Sequence, residues 1–217
     1  MSGTDFLYPF LEGDETDAGA LLTDLAASAS AKAAESEALR AATLDRLAGA
    51  LGRSAQAMAG RFAAGGRLFT FGNGGSATDA GAAAALFSRP YAGRPLPARS
   101  LAEDAAVLSA LGNDVGFELV FARQLIAQAR AQDIAAGFST SGNSANVLRA
   151  FADARARGLL TIGFAGYDGG AMAASGDIDH LLVVEAQSIH RIQEVQAALV
   201  HALWTAVGEA MAGEAAP

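Results

Sequence analysis

Two short apolar runs each end in a loop of glycine, serine and asparagine, and each loop opens into a stretch with helical spacing. Residues 67–71 (Arg-Leu-Phe-Thr-Phe) run into Gly72-Asn73-Gly74-Gly75-Ser76, and residues 133–138 run into Ser139-Thr140-Ser141-Gly142-Asn143-Ser144. A near-continuous apolar run bounded by turn residues is the pattern of a strand buried on both faces, as in a parallel sheet covered by helices. Helical spacing returns at 77–87, 103–111, 117–129, 145–157 and 188–211, with further strand-like runs at 97–101, 159–164 and 180–184. Gly112-Asn113-Asp114 and Tyr167-Asp168-Gly169-Gly170 read as turns between them. This alternation predicts an α/β fold with a parallel sheet flanked by helices.

Upstream of residue 65 the pattern is different. Residues 1–15 read as an arm, and residues 16–64 are rich in Ala, Leu, Glu and Arg at helical spacing. Leu21, Leu22 and Leu25 mark one stripe, and Leu39, Leu44, Leu47 and Leu51 another, so two N-terminal helices are expected with a break near residues 28–36. Such stripes need a partner, either in the same domain or in a neighbouring subunit. With residues 65–217 as the α/β core and C-terminal helix, the chain is expected to form a single domain of 217 residues.

Composition narrows the function. A formal net charge of −8 argues against nucleic acid as a ligand, since backbone phosphates are held by clustered Lys and Arg. A small phosphate remains open, because backbone N–H groups at a helix start bind one without lysine. The absence of cysteine excludes disulfides, thiolate nucleophiles and Cys-based zinc sites. No basic-then-apolar leader and no membrane-length apolar stretch is seen, so a cytoplasmic protein is expected.

In an open parallel sheet, ligands sit beyond the carboxyl ends of the strands, where both loops lie. Gly74 and Gly75 permit close backbone approach, and Ser76 adds a hydroxyl beside a helix start. Ser139, Thr140, Ser141 and Ser144 surround Gly142 with hydroxyls, and Ser144 is also placed to cap the following helix. Each loop alone is also explained as a turn or a cap, and Gly72, Gly74 and Ala77 fit a loose G-x-G-x-x-A dinucleotide spacing. A dinucleotide site does not need the second loop.

Five segments in order resemble the motifs of phosphoheptose isomerases, which are SIS-domain proteins. They are Gly72-Asn73-Gly74-Gly75-Ser76 with Asp79, Gly112-Asn113-Asp114 with Gly116-Phe117, and Ser139-Thr140-Ser141-Gly142-Asn143-Ser144. Asp168-Gly169-Gly170 and Arg191-Ile192-Gln193-Glu194 complete the series. The resemblance covers about residues 20–210. It implies a flavodoxin-like parallel sheet, a homotetramer with active sites shared between subunits, and interconversion of sedoheptulose 7-phosphate with an aldose phosphate. It further implies that Ser76, Ser139, Thr140, Ser141 and Ser144 contact the sugar phosphate, with Asn73 and Asp114 nearby.

Aldose–ketose isomerisation requires a base beside the carbonyl and a group that moves protons between two oxygens. The resemblance assigns these tasks to a Glu and a His, and in some members adds zinc held by a His and a Glu of the first helix with a Gln and a His of the last. Gln193 and His201 match the last-helix pair and are the candidate catalytic residues and residual metal ligands. Ala82 and Leu86 stand where the first-helix His and Glu are expected, and His190 replaces an aspartate. Two ligands eight residues apart, about 12 Å along a helix, make a poor zinc site, so weak or no zinc binding is expected. His201 also reads as a histidine on a largely apolar helix. Two functions follow: a sugar-phosphate isomerase with an altered reacting end, or a non-catalytic sugar-phosphate-binding regulator or scaffold.

Overall fold

A computed structural model of the chain describes residues 18–214. The arm expected over residues 1–15 lies outside the described residues. The chain divides into two units, one ending at Ala38 and the other beginning at Leu39. In the first, the described residues are helical, and Leu21, Leu22 and Leu25 are exposed.

The N-terminal region is one helix, α1 (Ala18–Ala63), rather than the two expected. The reason is local chemistry. The serines at 28, 30 and 36 are weak helix formers but leave the backbone ladder intact, and no proline interrupts it between residues 18 and 63.

The second unit carries a five-stranded, all-parallel sheet in the order β2-β1-β3-β4-β5. The strands are β1 (Leu68–Gly72), β2 (Ala98–Ser100), β3 (Ile134–Ser139), β4 (Leu160–Gly166) and β5 (His180–Val184). Helices α2 (Gly75–Ser88), α3 (Ala105–Asp114), α4 (Val120–Gln128), α5 (Ala145–Ala156), α6 (Gly170–Ala174) and α7 (Ile189–Glu214) connect and cover them. This is the flavodoxin-like order, in which the chain lays β2 on one side of β1 and β3 on the other.

Strand pleating divides the apolar residues between two cores. Leu68, Ile134, Phe138, Ile162 and Phe164 face α2, α7 and the second half of α1, which contributes Leu47, Leu51, Met58 and Phe62. Phe138 and Phe164 stack there with ring centroids 4.4 Å apart. On the other face Phe69 and Phe71 meet Phe121 and Leu125 of α4 and Val147 and Phe151 of α5.

Two boundaries differ from expectation. Gly112-Asn113-Asp114 forms the last turn of α3 and not a turn between helices, and the turn at 167–170 leads directly into the short α6. Asp104 caps α3, its Oδ1 accepting from the Val107 N–H at 3.0 Å, so the helix expected from residue 103 begins at Ala105.

The edge strand β5, from which α7 departs, is pinned by Asp179. Its Oδ2 accepts from both the backbone N–H and the hydroxyl of Thr161 at 3.0 Å, and its own N–H donates to Thr161 Oγ1 at 2.9 Å. Arg155 completes the cluster as an ion pair. Burial alone would raise this carboxyl, but the Thr161 bonds and Arg155 outweigh it and hold it below the ordinary range. A depressed folded-state pKa gives stability that is present above the unfolded value of about 3.9 and is lost as pH falls through the folded value. Asp179→Asn is therefore expected to lower the melting temperature at neutral pH, with the gap to the parent closing as melts are repeated below about pH 4.

Candidate functional site

The first loop leaves β1 and turns at once into α2. Gly74 sits at the N-cap with φ 54°, a conformation an L side chain rarely adopts, and makes no side-chain cap bond. At Gly75 a Cβ would lie 2.5 Å from Gln193 Nε2, so its bare backbone leaves room for the end of the Gln193 side chain. Ser76 is buried in the first turn of α2.

The second loop leaves β3, the strand beside β1. Ser139 is buried, and its hydroxyl lies 2.9 Å from that of Ser144. Ser144 occupies the N-cap position of α5 as expected, but its side chain makes no capping bond and is turned to Ser139 instead. Ser141 is exposed, and its hydroxyl accepts from the Asn143 N–H at 3.2 Å. Thr140 is partly buried, and its carbonyl accepts from Gly166 N–H at 2.9 Å.

The segment at 168–171 holds this loop from the side. Asn143 Oδ1 accepts from the Ala171 N–H at 2.8 Å, and Asn143 Nδ2 donates to the Ser141 carbonyl at 3.0 Å. The Gly142 carbonyl accepts from Met172 N–H at 3.0 Å. Gly142 has φ 67°, and a Cβ on it would collide with the Gly169 carbonyl, so position 142 admits only glycine without distortion. Asp168 Oδ1 accepts from the Gly170 N–H at 3.0 Å and shapes the turn that brings these groups forward.

The two loops are tied to one another by a reciprocal pair of amides. Asn73 Nδ2 donates to Asn146 Oδ1 at 2.8 Å, and Asn146 Nδ2 donates back to Asn73 Oδ1 at 2.9 Å. Asn146 is buried in the first turn of α5. The structure thus gives Asn73 the work of joining the loops. Asp114 lies at the exposed end of α3, its Oδ1 accepting from Asn113 Nδ2 at 2.8 Å. Together the loops bring Ser76, Ser139, Thr140, Ser141 and Ser144 beside the starts of α2 and α5. The unpaired N–H groups and positive ends of two helices, with hydroxyls between them, suit an anion and need no lysine.

Along α2 the chemistry thins. Ala82 is exposed, and Leu86 packs partly buried against the core between α2 and α7. Gln193 and His201 are engaged at separate points of α7. Gln193 Nε2 donates to Asp79 Oδ2 at 2.9 Å, whereas His201 Nε2 lies 2.7 Å from the hydroxyl of Tyr91, beyond the end of α2. Tyr91 and His201 stack with centroids 6.0 Å apart, and Trp204 borders both. Burial raises the Asp79 carboxyl above its ordinary range, and the bond from Gln193 offsets part of that rise. His190 is exposed in the first turn of α7, and Glu194 is paired with Arg191 at 2.9 Å.

These donors do not suit zinc. One amide and one imidazole are committed to different partners, and Ala82 and Leu86 supply no ligand. Among the described residues no group of three or more His, Asp or Glu side chains is gathered for a metal.

Sequence reasoning missed two members of this region, Asn146 and Tyr91, and one contact of a third, Asp79. Asn146 follows Ser144 by two residues inside a helix start and carries no motif signal of its own. Tyr91 lies in the irregular segment after α2, and only the folded chain brings it to His201. Asp79 was visible as a motif residue, but its contact with Gln193 was not.

The amide pair sets an expectation. Asn146→Ala leaves a partly buried Asn73 amide without its partner, at a cost of about 1–3 kcal/mol in chemical denaturation. Gly142→Ala is expected to lower the melting temperature, since its Cβ would meet the Gly169 backbone at a position of positive φ, as read in a thermal melt.

Comparison with known proteins bears on this arrangement. A family model described as "SIS domain" matches residues 33–166. The chain is 45% identical over 165 residues to the phosphoheptose isomerase of Paramagnetospirillum magneticum, covering 75% of this chain and 84% of that one. It is 40% identical over 169 residues to the phosphoheptose isomerase of Campylobacter concisus, covering 77% and 88%. The structure of phosphoheptose isomerase GmhA from Neisseria gonorrhoeae superposes with a TM-score of 0.79 at 36% identity, over 85% of this chain and 99% of that one.

Proposed function

Since the chain belongs to the SIS-domain family and, within it, to the phosphoheptose isomerases, we propose that it binds a phosphorylated sugar with the phosphate seated between its two loops. The observation that carries this reading is the Asn73–Asn146 pair, which fixes two hydroxyl-bearing helix starts side by side at the switch point of the sheet. The phosphate charge is met by helix N-termini and hydroxyls, which is compatible with a chain of net charge −8. No nucleic acid is needed as a partner. We further propose a single cytoplasmic domain that assembles as a homotetramer, which would give the stripe at Leu21, Leu22 and Leu25 a partner surface.

The reaction class carried by the resemblance is aldose–ketose isomerisation of sedoheptulose 7-phosphate. Ala82 and Leu86 move no proton, so this chain is expected to bind the sugar phosphate well and turn it over slowly. The same two positions favour a second reading, in which binding itself is the function and the protein acts as a regulator or scaffold.

Calorimetric titration with sedoheptulose 7-phosphate is expected to give saturable binding, and a flat titration would overturn the reading. Isomerase turnover is expected to fall well below about 1 s⁻¹, within the low range of enzymes, and to be unchanged by added zinc. Ala82→His with Leu86→Glu is expected to raise turnover and to make it respond to zinc. Turnover of the parent at or above that rate removes the reason for the second reading.

A further inference from the structure

We propose that Asp79 is the group that takes and returns the carbon-bound proton of a sugar phosphate at this site, held in place by Gln193. This rests on the sugar-phosphate reading above and deepens it. Asp79 lies one helical turn after Ser76 on α2, with Ala82 and Leu86 three and seven residues further along. At that spacing all of them share one helix face, so the carboxylate projects from the side of α2 that carries the silent positions. No other acidic residue lies between Asp79 and Glu103.

Three features separate Asp79 from an ordinary surface acid. It is half buried, so its charge is only partly met by water. A single neutral donor, Gln193 Nε2 at 2.9 Å, fixes Oδ2 and leaves Oδ1 without a partner among the described residues. Gln193 is itself seated against the bare backbone of Gly75, which ties the carboxylate's orientation to the phosphate loop. A basic oxygen aimed by a neutral amide beside an anion cradle is the arrangement that enolisation requires.

The step balances without a co-reactant. Starting from the ketose, Oδ1 accepts the proton from C1, and the C–H electron pair becomes a C1=C2 double bond. The carbonyl pair moves to O2, which takes a proton from water and completes the enediol, and water receives the proton that O1 later loses. O1 then gives up its proton as C1=O1 forms, and the double-bond pair takes the proton from Asp79 at C2. One proton is gained at O2 and one is lost from O1, so the aldose forms with no net change in the enzyme.

The test is proton exchange at C1 of sedoheptulose 7-phosphate in deuterium oxide, followed by NMR beside calorimetric affinity. The parent is expected to exchange C1 hydrogen even where net turnover is slow. Asp79→Asn, which preserves shape and the contact with Gln193, is expected to retain affinity within about threefold and to lose exchange by about 100-fold or more, the scale of a general base. Asp79→Glu is expected to recover part of the exchange. Exchange in Asp79→Asn equal to that of the parent overturns the assignment. So does binding by the parent without exchange, which leaves the sugar-phosphate reading intact. Loss of affinity together with exchange in both variants assigns Asp79 to holding the loop and also overturns it. Failure of the parent to bind removes the reading and the assignment together.

Discussion

The site depends on β1 and β3 being neighbours. Their register pairs Gly72 with Phe138, so both strands end at the same level and both following loops open on the same edge of the sheet. Because β2 lies on the other side of β1, the connections leaving β1 and β3 diverge and a crevice opens between them. That topology places two helix N-termini side by side, but their spacing is set by side chains. The Asn73–Asn146 pair joins residues 73 positions apart in sequence and fixes one loop against the other. An amide pair suits this role, since each partner supplies one donor and one acceptor and neither brings a charge that would compete with an anion.

Much of this was legible in the sequence, and for physical reasons. Strands buried on both faces leave a dense apolar signal, and glycine where the backbone must come close or take a positive φ leaves an equally clear one. Residues 67–71, 133–138 and 159–164 were recoverable as strands on that basis, and Gly74 and Gly75 as positions of close backbone approach, whereas the tight fit of Gly142 appears only in the folded chain. What failed was punctuation. The serines at 28, 30 and 36 suggested a break that only a proline or a strained glycine would enforce, and α1 passes through them. Gly112-Asn113-Asp114 looked like a turn, yet with the last residues of a helix needing no downstream partner for their N–H groups, the same residues close α3.

Side-chain partnerships were not legible, even within one motif: Ser144, read as a cap for the following helix, turns to Ser139 instead. Ser139 with Ser144, and Asp168 with Gly170, fall within a few residues of one another. Asn73 with Asn146, Gln193 with Asp79, and Tyr91 with His201 span 73 to 114 positions and are products of topology. Within the chain Gln193 and His201 hydrogen-bond to different partners. α2 and α7 both depart from the carboxyl edge of the sheet and lie side by side, so Gln193 meets the start of α2 while His201 meets the segment beyond its end.

The two ends of the α2–α7 pair therefore answer to different demands. At the loop end, polar groups are spent on geometry: Gly75 admits Gln193, Gln193 fixes Asp79, and Ser76 lies beneath them. Further along the helix is apolar: Ala82 is exposed, and Ala83, Ala84 and Leu86 are buried wholly or in part. Alanine and leucine are strong helix formers and carry no desolvation cost, whereas a His and a Glu on the same face need partners or water. His201, exposed on α7, meets the segment beyond the end of α2 instead: its Nε2 lies 2.7 Å from the Tyr91 hydroxyl and the Tyr91 ring stacks on its face, so an aromatic ring with a polar tip serves both the nitrogen and the ring.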